Sequence, residues 1–284
     1  MMSIAPASTP IELQGLRLEI GNRVLVRSLD LRIATGEIWC VLGANGAGKT
    51  TLLRAIAGLH RPSAGRILYD GREYSERSPL ESARLRGYMP QTVHDTFHAK
   101  VLDVVLTARH PHLSPWGWGG GYDHQVALDA LATVGLDGFH GRDVITLSGG
   151  ERQRVGIAML LAQQVGTLLF DEPVASLDLH HQVLVLGHLQ SLARDEGRAI
   201  AYSIHDINLA YRYASHCILL DGEGGTVHGP VREVVTAAAL STAFRHPVTQ
   251  TRFGDDMLFV AEPWRAPTSR NAARTGTSTS PAER

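Results

Sequence analysis

The sequence predicts an α/β fold with a largely parallel sheet, and three observations carry that expectation. Strand-like and helix-like runs alternate along most of the chain. A glycine-rich turn joins an apolar strand, Ile38 to Leu42, to a helix-forming run, Thr51 to Leu59. A second apolar run, Leu168-Leu169-Phe170, ends in two carboxylates, Asp171 and Glu172. A parallel sheet gathers such strand ends at its carboxyl edge, where open α/β folds bind ligands.

Taken in order, Met1 to Pro10 is an unstructured lead-in by composition. Leu16 to Ile20 and Leu29 to Ile33 alternate apolar and polar residues, as half-buried antiparallel strands do. Thr35-Gly36 turns the chain into the glycine-loop strand, and His60 to Gly65 is a turn cluster before a short strand, Arg66 to Tyr69. From about Val101 to Gly166 the pattern is mostly helical, with Val126 to Val134 and Glu151 to Gln164 as two segments. Between the helical pieces, Pro111 to Tyr122 is too rich in glycine and proline for a regular element. Its Trp116 and Trp118 suit either a partner-facing loop or a loop folded onto its own helices, and the second needs no special reason. Thr167 to Phe170 reads as a buried strand. Leu179 to Glu196 reads as a long helix with apolar residues at 179, 183, 184, 186, 189 and 192. Ala199 to Ser203, Ile207 to Ala214 and Cys217 to Leu220 continue the alternation. The last stretch, Arg265 to Arg284, has almost nothing to bury and is expected to be disordered.

The bulk numbers narrow the function classes. The chain has 284 residues, 44% hydrophobic and 19% charged, which is ordinary for a globular protein. Twenty-seven basic against 28 acidic residues leave a net charge of -1, so no overall charge favours nucleic acid. The two cysteines, Cys40 and Cys217, lie in apolar runs and read as buried free thiols. No apolar run is long enough to cross a bilayer, and the N-terminus lacks a basic head with an apolar core. A cytosolic protein is expected, with any membrane role reached through a partner.

The turn after Leu42 carries the first chemistry. Gly43-Ala44-Asn45-Gly46-Ala47-Gly48-Lys49-Thr50 has the phosphate-binding loop spacing. Its glycines let successive N–H groups converge on phosphate oxygens, and the helix beginning at Thr50-Thr51 adds unpaired amides and a positive dipole end. Lys49 supplies a point charge for the β- and γ-phosphates, and the Thr50 hydroxyl suits Mg²⁺. A plain glycine-rich turn is the rival reading, and Lys49-Thr50 between strand and helix weighs against it. Asp171 is placed to hold Mg²⁺ through water, and Glu172 to orient or deprotonate a water at the γ-phosphate. A second phosphate-seeking helix start follows Leu147, where Ser148, Gly149 and Gly150 precede Glu151. One nucleotide does not need two cradles from one subunit, so the second suits the nucleotide of another copy.

These motifs resemble those of the ATP-binding subunits of ABC transporters, over Ile11 to Pro263. The Walker A loop Gly43 to Thr50 comes first, then a Q-loop at Gln91 in Tyr88-Met89-Pro90-Gln91. The LSGGE signature at Leu147 to Glu151 and Walker B at Leu168 to Glu172 follow. A D-loop at Ala175 to Asp178 and a switch histidine, His205, complete the order. The resemblance implies a P-loop NTPase fold with a RecA-like core, an antiparallel β subdomain and a helical signature subdomain. It implies a lead-in over 1–10, an ATP-binding domain over 11–263 with its helical subdomain at about 92–165, and a disordered tail over 264–284. It also implies a head-to-tail homodimer in which ATP lies between one Walker A loop and the other copy's Ser148, Gly149, Gly150 and Glu151. In that dimer Gln91 senses Mg²⁺ and the attacking water, His205 bonds the γ-phosphate, Glu172 is the catalytic carboxylate and Asp178 bridges the subunits.

One position departs from the pattern. The family commonly stacks adenine on an aromatic residue before Walker A, and the matching residue here is Ile20. Aliphatic contact in place of stacking is weaker by roughly 0.5–1.5 kcal/mol, so loose selection between ATP and GTP is expected. Within the family, Val101 to His112, Ser176 to Gln182 and His205 to Ala214 look most like importers of iron-siderophore, haem and vitamin B12 compounds. Such importers pair two ATPase copies with a polytopic permease dimer in the inner membrane and, indirectly, a periplasmic or surface binding protein. That places the chain on the cytoplasmic face of the cell membrane, with permease contact near Thr92 to Lys100 and the Trp116/Trp118 loop. An exporter or lipid-release ATPase is the alternative within the family, and a soluble ABC ATPase the alternative outside transport. A non-catalytic regulatory module is disfavoured because Glu172, His205 and Gln91 are all present. His94, His98, His110, His112, His180 and His181 show no structural-metal spacing.

Overall fold

A computed structural model describes residues 11–91, 98–113, 120–254 and 256–263. The expected lead-in, His94, the two loop tryptophans and the expected tail lie outside the described residues, as does most of the stretch expected to meet a permease.

The chain opens with β1 (Ile11–Ile20), β2 (Arg23–Val26) and β3 (Leu31–Ile33), then β4 (Ile38–Gly43) leads into α1 (Lys49–Ile56). Next come β5 (Ala64–Tyr69), β6 (Arg72–Glu73), α2 (Pro79–Leu85) and β7 (Arg86–Met89). Three helices, α3 (Val101–Thr107), α4 (Gly121–Thr133) and α5 (Gly149–Ala162), precede β8 (Thr167–Asp171). The chain continues through α6 (Leu179–Glu196), β9 (Ala199–Ser203), α7 (Ile207–Tyr213), β10 (His216–Leu220) and β11 (Thr226–Pro230). It closes with α8 (Val231–Val234), α9 (Ala237–Phe244) and the hairpin strands β12 (Val248–Phe253) and β13 (Asp256–Ala261).

One sheet has the order β11-β10-β4-β9-β8-β7, parallel throughout except for the β10–β11 pair. The other is antiparallel, β2-β1-β5-β6 with β3 also on β1. β4, β8 and β9 are buried at every position, as strands covered on both faces must be. Alternation along β4 divides its side chains between two cores. Trp39 and Val41 join Leu52, Leu53 and Ile56 of α1 and Leu13 and Leu18 of β1. Cys40 and Leu42 join Val155 and Ala158 of α5 and Leu186 and Leu189 of α6. The antiparallel sheet is thus fastened to one face of the parallel sheet through α1, and α5 and α6 cover the other. Cys40 and Cys217 are free, buried and opposite one another in the β4–β10 register.

Several elements differ from the sequence expectation. β2 and the β12–β13 hairpin are additional, because β2 has only 4 residues and β12 is exposed at every position after Val248, so neither shows a clear burial period. On α6, Leu186, Leu189 and Leu192 are buried as expected, whereas Leu179 and Val183 are 72% and 42% exposed. The buried sector runs through Val185, Leu186, Leu189 and Ala193, and those two residues sit at its margin. Among the described residues, no helix is long and apolar enough to cross a membrane.

Candidate functional site

The parallel order brings the C-terminal ends of β4, β8 and β9 side by side, and the site is built there. β4 ends at Gly43, whose φ of 149° lies outside the range of ordinary side chains. A Cβ at Gly43 would stand 2.8 Å from the Leu220 carbonyl oxygen on β10, so the loop lies hard against the sheet. Gly48, with φ 110°, precedes α1, and a Cβ there would press on Leu25 at 3.1 Å. Lys49, the first residue of α1, is 5% exposed and donates from Nζ to the carbonyls of Gly43 at 2.9 Å and Ala44 at 3.3 Å. The lysine is therefore held back over its own loop. Burial lowers its pKa, and the charges of Glu172 and Asp171 oppose that shift.

The two carboxylates at the end of β8 have distinct surroundings. The register sets Asp171 opposite Ser203 of β9, and the Ser203 hydroxyl donates to Asp171 Oδ1 at 2.6 Å. Asp171 Oδ2 is buried and has no hydrogen-bond partner among the described residues. The same Ser203 oxygen accepts from the Glu172 backbone N–H at 2.9 Å, and Gln153 Nε2 of α5 donates to the Glu172 carbonyl at 2.9 Å. These bonds fix Glu172 at φ 54°, a left-handed conformation costing a non-glycine residue roughly 1–2 kcal/mol. That turn aims the side chain at two partners. Glu172 Oε2 accepts from Gln91 Nε2 at 2.8 Å, and Oε1 lies 2.6 Å from His205 Nε2.

A cavity of about 350 Å³ lies over the loop. Asn45, Gly46, Gly48, Lys49, Thr50 and Thr51 form its floor, and Gln91 and Glu172 stand at one side. Ile20, Arg23 and Leu25, from the β1–β2 hairpin, form another wall. Gly43, Ala44, Ala47 and Asp171 do not line the cavity; Ala47 and Asp171 are each 1% exposed beneath it. The hydroxyl of Thr50 and the carboxylate of Asp171 are hard oxygen donors suited to a small divalent cation, and the unpartnered Asp171 Oδ2 leaves one lone-pair set for it.

The remaining sequence candidates are elsewhere. Ser148, Gly149, Gly150, Glu151 and Asp178 take no part in the cavity wall. Ser148 caps α5, with its hydroxyl 3.3 Å from the Glu151 N–H and Glu151 Oε2 accepting from the Ser148 N–H at 2.7 Å. Asp178 caps α6, accepting from the His181 N–H at 2.9 Å and lying 2.8 Å from its ring Nδ1. Backbone donation from Ser148 and from His181 holds the Glu151 and Asp178 carboxyls below their ordinary pKa. Three contributors were missed by sequence reasoning: Ser203, Gln153 and Arg23. A buried serine directly before Ile204-His205 was the available signal for the first. The other two depend on helix and hairpin placement and left no local signature.

The ABC transporter family profile matches residues 26–175. A cobalamin import ATP-binding protein, BtuD of Halobacterium salinarum, is 39% identical over 236 residues, 82% of this chain and 58% of that protein. The chain thus spans little more than half of that relative's length. The hemin import ATP-binding protein HmuV of Nocardia farcinica is 40% identical over 253 residues, 86% of each chain. The petrobactin import ATP-binding protein FpuD of Bacillus anthracis is 37% identical over 249 residues, 88% of this chain and 90% of its own. Among solved structures, a metal-chelate type ABC transporter in an inward-facing conformation superposes with a TM-score of 0.78 at 29% identity, covering 90% of this chain and 98% of that one. The dimeric ABC transporter cassette MJ0796 superposes at 0.68 with 26% identity, over 78% and 99%.

Proposed function

Because this chain belongs to the ABC transporter family of ATP-binding proteins, we propose that it is the ATPase subunit of an importer for an iron-siderophore, haem or cobalamin compound. The observation that carries the ATPase reading is Glu172, aimed by a strained backbone between Gln91 and His205 at the edge of the cavity over Lys49. The importer class rests on relatives that import cobalamin, hemin and petrobactin.

In this reading residues 11–263 form the ATP-binding domain, with a helical subdomain near 92–165. The backbone N–H groups of the Asn45-to-Lys49 loop take the phosphate oxygens. Lys49 exchanges its carbonyl partners, Gly43 and Ala44, for the β- and γ-phosphates. Thr50 and Asp171 would hold Mg²⁺, which supplies charge neutralisation of the phosphates when bound. Glu172 orients the attacking water and accepts its proton, and arrival of the γ-phosphate draws His205 and Gln91 away from the carboxylate they hold here. Ser148, Gly149 and Gly150 lie outside the cavity wall, so a second copy covers the nucleotide with them and Asp178 meets that copy at the interface. The ATPase pair works beneath a permease dimer at the cytoplasmic face of the membrane, fed by a substrate-binding protein.

The test is Glu172→Gln in the purified protein. The variant binds MgATP, hydrolyses it at least about a hundredfold more slowly, and elutes as an ATP-dependent dimer. Turnover at the wild-type rate would remove Glu172 from the role. Reconstitution with a candidate permease dimer, with siderophore, haem and cobalamin each supplied on a binding protein, identifies the cargo by which one raises the ATPase rate.

A further inference from the structure

The β1–β2 hairpin contributes a wall to the nucleotide cavity whose chemistry the proposed mechanism leaves unused. Ile20 and Arg23 are directly paired across the turn, so their side chains share one face of the hairpin, and both line the cavity with Leu25. Ile20 is 56% exposed and has no π face, while Leu25 is buried against Gly48. Arg23 is thus the only planar group of the three. Its position is defined at two points. Nη2 donates to the Gly222 carbonyl at 3.0 Å, and Nη1 lies 3.6 Å from where a Cβ on Gly46 would stand. Among the described residues no carboxylate lies within 4.0 Å of the guanidinium, so no described residue forms an ion pair with it.

We infer that the Arg23 guanidinium is the base platform of this site, stacking on the purine of the bound nucleoside triphosphate. The inference rests on the nucleotide reading of the cavity. Lys49, Thr50 and the amides of α1 claim the triphosphate, and Glu172 with Gln91 marks its γ end. The base therefore extends toward the wall that carries neither, which is the hairpin. A guanidinium is planar, weakly hydrated and stacks on π faces, so at this wall it does what Ile20 cannot. Stacking of this kind tolerates either purine, so ATP and GTP share the contact.

Calorimetric binding of MgATP, MgGTP and inorganic tripolyphosphate to the full chain separates base contact from phosphate contact. Arg23→Ala is expected to weaken both nucleotides about 3- to 10-fold and to leave tripolyphosphate within about twofold. Arg23→Lys keeps the charge and loses the plane, so it should lose as much nucleotide affinity as alanine does. The inference is overturned by unchanged nucleotide affinity in Arg23→Ala, by an equal loss for tripolyphosphate, or by wild-type affinity in Arg23→Lys. Melting of the ligand-free variants checks folding, and the lysine variant carries the comparison if the alanine variant does not fold. Wild-type protein that binds no MgATP overturns the nucleotide site and this inference together. Binding that depends on Lys49 but ignores Arg23 overturns this inference alone.

Discussion

Ser203→Ala removes one hydroxyl that serves both carboxylates of the site. Ser203 is fully buried, donates to Asp171 Oδ1 at 2.6 Å and accepts from the Glu172 N–H at 2.9 Å. Loss of a donor to a buried carboxylate costs roughly 1.5–3 kcal/mol, and an orphaned buried N–H roughly 1–3 kcal/mol. Because the two bonds share one atom and relax together, the combined loss falls toward the lower end of the summed range, about 3 kcal/mol. Asp171 Oδ2 makes no hydrogen bond among the described residues, so Ser203 supplies the side-chain bond that Asp171 has in place. At roughly 2–4 °C per kcal/mol for a chain of this size, the melting temperature should fall by about 6–12 °C. Urea unfolding of the ligand-free protein measures the free energy directly, and hydrolysis should fall as well because the φ of 54° at Glu172 loses its anchor. A loss below about 0.5 kcal/mol, the level of a neutral surface change, refutes the view that Ser203 organises the carboxylates.

Three further outcomes are expected. Gly43→Ala sets a Cβ 2.8 Å from the Leu220 carbonyl at a φ of 149°, so it should cost about 1–3 kcal/mol in denaturant titration and abolish MgATP binding; normal binding would show that the loop can withdraw from β10. Lys49 has a pKa lowered by burial, so the unfolded chain binds the extra proton between that lowered value and 10.5, and stability from this group rises with pH across the window. Triphosphate restores the charged lysine, so alkaline binding should take up protons, seen as buffer-dependent calorimetric heat; uptake that persists in Lys49→Arg contradicts the assignment. Ser148→Ala should cost about 1 kcal/mol as a lost helix cap, and ATPase activity should fall by more than that in the dimer. Equal hydrolysis by this variant and wild type would mean that the second copy does not use Ser148.

Legibility followed the range of the interaction. The Gly43-to-Thr50 loop, the Asp171-Glu172 strand end and the Ser148 cap were readable because each is written in consecutive residues. The cap was nonetheless expected to face a phosphate, and within the single chain it is engaged by Glu151. Ile20 was read as a weakened base contact, and the cavity wall does include it. Its cross-strand neighbour Arg23 was not considered, since β2 was not recognised and only the hairpin register pairs the two. Leu179 and Val183 are among the apolar positions of the long helix read from the sequence, yet both are exposed, because apolar spacing alone does not fix where the buried stripe ends.

By itself the sequence determined the parallel α/β class, the glycine-rich turn between β4 and α1 and the order of the motifs, because glycine stereochemistry and strand burial act locally. Only the tertiary structure decided how Glu172 is held. Gln91 and His205 lie 81 and 33 positions away along the chain, yet each bonds one oxygen of that carboxylate. Ser203 reaches Asp171 only because β8 and β9 pair in one register. A shift of one residue would turn the Ser203 hydroxyl to the other face, and that register is set by the two cores packing at once on both sides of the sheet.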